Sequence, residues 1–505
     1  MFTVTRDIER LSDGVYDVLI VGGGIVGAGA ARDAALRGLR VALIDQGDFA
    51  SGTSSRSSKL IHGGLRYLQH AEVRLVREAC VERATLLRIA PHLVEPLPLL
   101  FPCYRKSGPP VWKLRLGLWI YDLLAGSKVI RSHEMLSAQD ILNRESALNA
   151  EGLEGGGVYY DCRMNDARLC LENALDAARA GATIFNYVKL MNVLRTGGRI
   201  DGAVCMDLET GREAAIRFRA MINAAGPWAD QIRRMDDGTA APVVRKTKGV
   251  HLVTRRLSEC GIAAAVRQDG RMIFILPFPP NFSLIGTTDT DSNEDPDEAS
   301  INVSDVDYLL SAAQILFPRS NLNSNDVISC FAGLRTLIST GDRPSDASRE
   351  YFIEESRSGM ISVIGGKYTT YRAMAERVVD RIMRRLGKSK VACQTAEPLT
   401  SADGARSADA AGIATQYPDG LSEISPGCRV LWGEAVHAIR REGARRPMDF
   451  LRRRTDYCLT HRPDAAVLTR LSDLFQKELG WDDSTRARLE RQSLDEWNRF
   501  QIRSF

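Results

Sequence analysis

The sequence predicts an α/β protein, α+β overall, organised on a buried parallel sheet and ending in a small helical unit. Three observations carry this. A short apolar run, Tyr16–Val21, meets a glycine cluster and is followed by an alanine-rich helical stretch and a second apolar run. Two strand-like runs far downstream, Met221–Asn223 and Met360–Ile364, also end on glycine-bearing turns. Beyond residue 429 the pattern becomes helical and strongly charged.

Tyr16–Val21 (YDVLIV) is short, apolar and rich in β-branched residues, the composition of a strand buried on both faces. Ile25–Arg37 suits a helix packed tightly on a sheet, and Gly38 ends it. Leu39–Ile44 (LRVALI) is the second strand, and the right-handed crossover rule makes the two strands parallel. Glu72–Ile89 is a helix stopped by Pro91, with further strands at Met272–Leu276 and Ser283–Ile285. Tyr371–Arg385 is a helix opening directly after the Gly365-Gly366 turn. Segment 395–428 is rich in Ala, Ser, Gly, Asp and Pro without apolar periodicity, so it is expected to be a linker.

The chain has 505 residues, 44% of them hydrophobic and 26% charged, which is enough for several cored domains. A net charge of +4 gives no case for nucleic-acid binding. The 10 cysteines include no CxxC pair and no zinc-ligand spacing, so reduced, mostly buried thiols and no metal are expected. The charged N-terminus does not serve as a signal peptide, and no apolar window is long enough to span a bilayer. Val111–Leu124 (VWKLRLGLWIYDLL) places Trp112, Leu116, Trp119, Ile120 and Leu123 along one helical face, with Lys113 and Arg115 off it. That pattern suits either an interfacial membrane helix or a core-facing one. In the C-terminal unit, Arg440, Arg441, Arg445, Arg446, Arg452, Arg453 and Arg454 stand against Glu442 and Asp449, read as a solvated helix face or as ion pairing between subunits.

Gly22-Gly23-Gly24-Ile25-Val26-Gly27 fits the G-x-G-x-x-G fingerprint, set between strand and helix as a dinucleotide site requires. Gly22 permits the turn, Gly24 the approach of a pyrophosphate, and Gly27 close helix–strand packing. The helix N-terminus supplies N–H donors and partial positive charge. Asp45, at the end of the second strand, stands where a carboxylate receives ribose hydroxyls. The segment after Asp45 points to FAD: Ser51-Gly52-Thr53-Ser54-Ser55-Arg56-Ser57-Ser58 offers small donors without bulk, then Lys59-Leu60-Ile61-His62-Gly63-Gly64. Asn223-Ala224-Ala225-Gly226 and Gly365-Gly366-Lys367-Tyr368-Thr369 each come directly after a strand, and the second opens a helix whose N-terminus can face the flavin.

Gly22 to Leu68 strongly resembles the FAD-dependent glycerol-3-phosphate dehydrogenases, with SSKLIHGGLRYL its most specific element. KGVHLV (Lys248–Val253), IGTTDTD (Ile285–Asp291), AGLRTL (Ala332–Leu337), GGKYTTYR (Gly365–Arg372) and DFLRRRT (Asp449–Thr455) agree with it. The resemblance implies a glutathione-reductase-like FAD domain with a parallel sheet, a substrate domain with an antiparallel sheet, and an α-helical C-terminal cap. It further implies non-covalent FAD, a homodimer, monotopic attachment at the inner face of the plasma membrane, and electron delivery to a membrane quinone. On this reading residues 1–80, 150–240 and 330–388 form the FAD domain and 81–149 and 241–329 the substrate domain. Residues 389–428 are the linker and 429–505 the cap. Asp45 stands where Glu is frequent in the family, Thr336 where Pro is usual and Tyr368 where Leu is usual; the last two touch the expected substrate pocket.

Oxidation of sn-glycerol 3-phosphate to dihydroxyacetone phosphate needs a cationic phosphate pocket, a base for the C2 hydroxyl and a flavin to take hydride. Arg66, Arg335, Arg349 and Lys367, with Tyr67 as a neutral donor, are the substrate-binding candidates. His251 is the expected base, since an imidazole pKa of about 6.5 suits proton abstraction at neutral pH. It is grouped with Arg335 and Lys367 as catalytic. The expected cofactor contacts are Gly22, Gly24, Gly27, Asp45, Thr53, Ser54, Ser55, Ser58, Leu60, His62, Gly63, Gly64, Ala225, Gly226, Gly366, Lys367 and Thr369. A related oxidase that reduces oxygen would share these motifs. An amine or amino-acid oxidase would not need the clustered cations.

Overall fold

Three strands whose C-terminal ends carry glycine-bearing turns lie side by side. In the computed structural model, which describes residues 6–70, 72–265, 270–338, 351–389, 391–403 and 405–501, Val15–Val21 pairs in parallel with Glu213–Asn223 and Val41–Ile44. Met360–Gly365 continues the sheet beside Glu213–Asn223, and Thr183–Phe185 beside Val41–Ile44, all in parallel. The turns after Val21, Asn223 and Gly365 are therefore gathered at one edge, the place where open parallel sheets bind ligands. Tyr351–Glu355 and the hairpin Val188–Thr196/Arg199–Asp207 complete eight strands in antiparallel pairing.

The helix after the fingerprint, Ile25–Leu36, packs on this sheet through glycine and alanine. A Cβ added to Gly27 would fall 1.8 Å from the Gly22 carbonyl oxygen, so only glycine permits this approach. At Gly29 the same addition would meet the Tyr371 ring at 2.7 Å, which brings in the helix Tyr371–Arg385.

A second sheet of ten strands is antiparallel apart from one pair, Gly261–Ala265 with Val94–Tyr104. Two of its long strands correct the domain boundaries expected from sequence. Leu153–Met164 falls in the expected FAD segment 150–240, yet pairs along Val94–Tyr104. Val327–Ile338 overlaps the expected FAD segment 330–388, yet pairs along Val244–Arg255. Both are apolar runs whose membership is decided by distant partners rather than by local pattern.

The segment expected as a linker also needs correction, because it contains the helix Ala405–Gln416. Small residues explain both the missed periodicity and the packing. A Cβ on Gly433 would lie 2.3 Å from that of Ala414, so this helix lies close against Trp432–Glu442. With Ala465–Leu479 and Asp483–Arg499 they form the C-terminal helical domain, which has its own core around Trp432, Phe450, Phe475 and Trp497.

Buried ion pairs fasten this domain to the first sheet's helices. Arg168, at the start of Asp166–Arg179, donates to both carboxylate oxygens of Glu442 at 2.8 and 2.6 Å, and to Glu172 at 2.7 Å. Arg453 donates to Asp48 at 2.7 Å, and Arg454 bonds the same carboxylate. The arginine-rich stretch is thus largely a buried ion-paired interface rather than a solvated face. Removing one partner of a buried pair leaves the other charge uncompensated. Arg168→Met is expected to destabilise the fold by about 3–5 kcal/mol, measured from denaturant unfolding, whereas Arg440→Met, on the exposed Arg440–Glu478 pair, shifts it by less than about 1 kcal/mol.

Candidate active site

Between the glycine turns and the second sheet lies a cavity of about 1430 Å³. That exceeds the roughly 300–1,000 Å³ of ordinary small-molecule pockets, leaving room for a dinucleotide and a small substrate together. Its wall includes Gly22, Gly24, Asp45, Thr53, Ser54, Ser58, Leu60, His62, Gly64, Ala225, Gly226, Gly366, Lys367 and Thr369 of the expected cofactor residues. It also includes Arg66, Tyr67, His251 and Arg335. Gly27, Ser55 and Gly63 stand behind the wall: Gly27 in the helix–strand contact, Ser55 with its hydroxyl on the Gly52 carbonyl, and Gly63 against the Tyr121 hydroxyl. Arg349 lies outside the described residues.

The dinucleotide half fits FAD by its own geometry. The first helix begins at Gly24, which supplies no side-chain cap, so beyond Ile25 N its first turn can offer N–H groups to an anion. The Ser54 hydroxyl accepts from Ile25 N at 2.9 Å, and a Cβ on Gly24 would crowd that oxygen at 3.2 Å. Asp45 accepts from Gly23 N at 2.6 Å and Gly47 N at 2.7 Å, closing the turn around the expected ribose position. Burial pushes its carboxyl up to about 7, against the pull of those two N–H groups.

The substrate half is built on one face of two paired strands. Thr247, Gly249 and His251 on Val244–Arg255 stand opposite Arg335, Gly333 and Phe331 on Val327–Ile338. The two glycines clear the floor between the larger groups. A Cβ on Gly249 would fall 2.5 Å from an Arg335 nitrogen, and one on Gly286 only 2.2 Å from the His251 ring. His251 stacks on Phe331 at 4.9 Å, and its Nε2 lies 2.9 Å from the Ser58 hydroxyl. Arg335 donates to Thr287 Oγ1 at 2.9 Å and Asp289 at 3.0 Å, partners from the IGTTDTD motif to which the sequence alone assigns no role.

Lys367 Nζ sits 3.3 Å from the centre of the Tyr67 ring, a close cation–π contact across the cavity. Tyr67 in turn lies alongside His62, with ring centres 6.3 Å apart. Tyr368 turns its hydroxyl onto the Asp166 carbonyl, so its unusual side chain is committed to the first domain. Thr336 faces Gly226, its hydroxyl 4.0 Å from a Cβ built there.

Sequence reasoning missed Asp161. This buried carboxylate accepts from Gly63 N at 3.0 Å and the Tyr121 hydroxyl at 2.7 Å and pairs with Arg83, fixing the loop that carries His62 and Gly64. No local motif marks it, because its partners come from three separate elements.

His251 differs from its sequence expectation in charge. Burial, then Arg335 and Lys59, lower its pKa from 6.5 to about 3, so it is neutral across the physiological range. An unfolded histidine binds its proton near pH 6.5, whereas the folded one does so only near 3. This group's contribution is thus full above 6.5 and is lost as pH falls towards 3. His251→Asn is expected to flatten the pH dependence of unfolding between those limits; an unchanged slope in denaturant titrations would contradict the assignment.

The fold and site define a flavin-linked oxidoreductase. A family described as FAD dependent oxidoreductase matches residues 17–372, and one described as C-terminal domain of alpha-glycerophosphate oxidase matches 357–486. An aerobic glycerol-3-phosphate dehydrogenase of Bacillus subtilis is 35% identical, covering 95% of this chain and 94% of that protein. An alpha-glycerophosphate oxidase of Streptococcus pneumoniae is 34% identical with 95% of each chain covered. The crystal structure of the glycerol-3-phosphate dehydrogenase from Bacillus halodurans complexed with FAD superposes with a TM-score of 0.78 at 30% identity, over 98% of this chain and 96% of that one. The chain belongs to the FAD-dependent glycerol-3-phosphate dehydrogenase family.

Proposed function

We propose that this protein oxidises sn-glycerol 3-phosphate to dihydroxyacetone phosphate with non-covalent FAD, at the inner face of the plasma membrane, and passes the electrons to a membrane quinone. The observation that carries the reading is the single cavity that joins a dinucleotide cradle to a neutral histidine and a cationic cluster.

Bound FAD supplies the two-electron acceptor, so that hydride leaves C2 as the hydroxyl proton leaves oxygen. Arg66, Arg335 and Lys367 hold the phosphate, and Tyr67 supports it with its hydroxyl and by fixing Lys367. Asp289 and Thr287 keep the Arg335 guanidinium from swinging into bulk solvent. His251, already neutral, receives the proton at Nε2, and the Ser58 hydroxyl on the cavity wall is the path to it. Phe331 and Gly286 hold the ring in place. In anaerobic mixing, the wild-type flavin band bleaches on addition of sn-glycerol 3-phosphate. His251→Asn slows that bleaching by about 10²–10⁴-fold while FAD content stays unchanged. Parallel loss of FAD and rate would sink the role given to His251.

Among the described residues no helix is long and apolar enough to cross a membrane. The helix Val111–Ala125, however, has two working faces. Trp112, Leu116, Trp119 and Leu123 are 68%, 50%, 57% and 64% exposed, an apolar strip flanked by Lys113 and Arg115. Leu116, Gly117 and Ile120 line the cavity. A cavity wall backed by an exposed aromatic strip supports a lipid-soluble acceptor over dissolved oxygen. Trp112→Gln combined with Trp119→Gln is expected to abolish sedimentation with phosphatidylglycerol vesicles while anaerobic bleaching by substrate is retained. Undiminished sedimentation would remove this helix from the membrane reading, and rapid reoxidation by oxygen without quinone would favour the oxidase reaction of the Streptococcus relative.

A further inference from the structure

The cationic groups at the substrate end of the cavity have a counterpart on the cofactor side, contributed in large part by the helical C-terminal domain. Arg446, Arg453, Glu496, Arg499 and Phe500 all reach the cavity wall from that domain. They meet the segment between Asp45 and Ser58. Asp48, three residues after Asp45, is buried and bonded by Arg453 and Arg454. At the other end of the segment, the Arg56 guanidinium lies over the Phe500 ring at 4.9 Å, with Arg452 over the same ring at 3.6 Å.

Arg56 is the member that adjoins the Ser54 turn. Its side chain faces the cavity, forms no ion pair among the described residues, and has a buried Nε without a hydrogen-bond partner. Arg56 is half-buried; the fully buried Arg168 and Arg453 are each matched to a carboxylate. Glu496 is the nearby acid, and it pairs with Arg452 and Arg453 instead. Burial and then Arg452 pull the Arg56 pKa down to about 9, with Glu496 acting against them.

The position of Arg56 in the chain ties it to the cofactor half of the cavity. Arg56 ends the Thr53–Ser55 turn, whose Ser54 hydroxyl touches the uncapped first helix. That helix end is the expected diphosphate position, and the cofactor's diphosphate carries about two negative charges that helix N–H groups offset only in part. We propose that Arg56 binds the FAD diphosphate, held in position by Phe500 and Arg452 of the C-terminal domain, so that this domain completes the cofactor site. The inference rests on the FAD reading and adds to it a residue and a domain.

The test compares FAD with riboflavin, which lacks the diphosphate, in reconstitution of apoprotein followed by flavin fluorescence. Arg56→Met is expected to weaken FAD binding tenfold or more and to leave riboflavin binding within twofold. The same substitution should leave the melting temperature of the apoprotein unchanged or raise it, because a half-buried cation without an ion pair is removed. FAD affinity altered less than twofold, equal losses for FAD and riboflavin, or a lowered apoprotein melting temperature would each overturn the proposal. Should the variant fail to fold, the wild-type protein still decides the matter. Added sodium chloride should weaken FAD binding more than riboflavin binding, and equal salt dependence would refute the role of Arg56. A wild-type chain that binds no FAD at all would instead overturn the cofactor reading.

Discussion

The contact on which the rest of the molecule depends is the approach of the first helix to the first strand, at Gly22 and Gly27. With 1.8 Å between a would-be Cβ and the Gly22 carbonyl, no side chain fits there. Because the helix comes that close, its N-terminus reaches the edge where three parallel strands end. The Ser54 turn can then bond its first N–H, and Asp45 can clasp the glycines on either side. Any retreat of this helix would separate the anion-binding end from the acidic side chain that defines the other half of the nucleotide.

Against this parallel layer the antiparallel sheet works as a floor with two holes in it. Glycines at 249 and 333, opposite one another, admit the Arg335 guanidinium at one and the Arg56 backbone at the other. The histidine is fixed by a stacked ring and by a neighbouring glycine, and it is kept neutral by burial and by cations. Arg335, one of the cations proposed to hold the substrate phosphate, thus also adds to the burial that keeps His251 unprotonated.

Signals confined to one stretch of chain were legible in the sequence. The fingerprint, the Ser-rich turn and the helix Tyr371–Arg385 each announce themselves by spacing, and each occupies the expected place. Features that depend on distant partners were not legible. Leu153–Met164 and Val327–Ile338 look like generic buried strands, and only pairing assigns them to the second sheet. Ala405–Gln416 escaped notice because its packing uses alanine and glycine, which leave no apolar stripe. The depressed titration of His251 arises from burial and from Arg335 and Lys59, which the sequence holds 84 and 192 positions away (335 − 251 and 251 − 59). Asp161 and Arg56 acquire their meaning only from three-dimensional neighbours.

The strand that carries Arg335 is secured by the last helix of the chain. Cys330 N donates to the Phe500 carbonyl, and the Ser329 hydroxyl to that of Leu459. The central strand of the first sheet, at residues 15–21, likewise waits for neighbours at 213–223 and 360–365. Both walls of the cavity therefore depend on segments distant in the sequence: the cradle needs the strand at 360–365, and the floor needs the contacts from Leu459 and Phe500. A cofactor site assembled from such distant segments cannot form from the first β-α-β unit alone; it requires long-range pairing first.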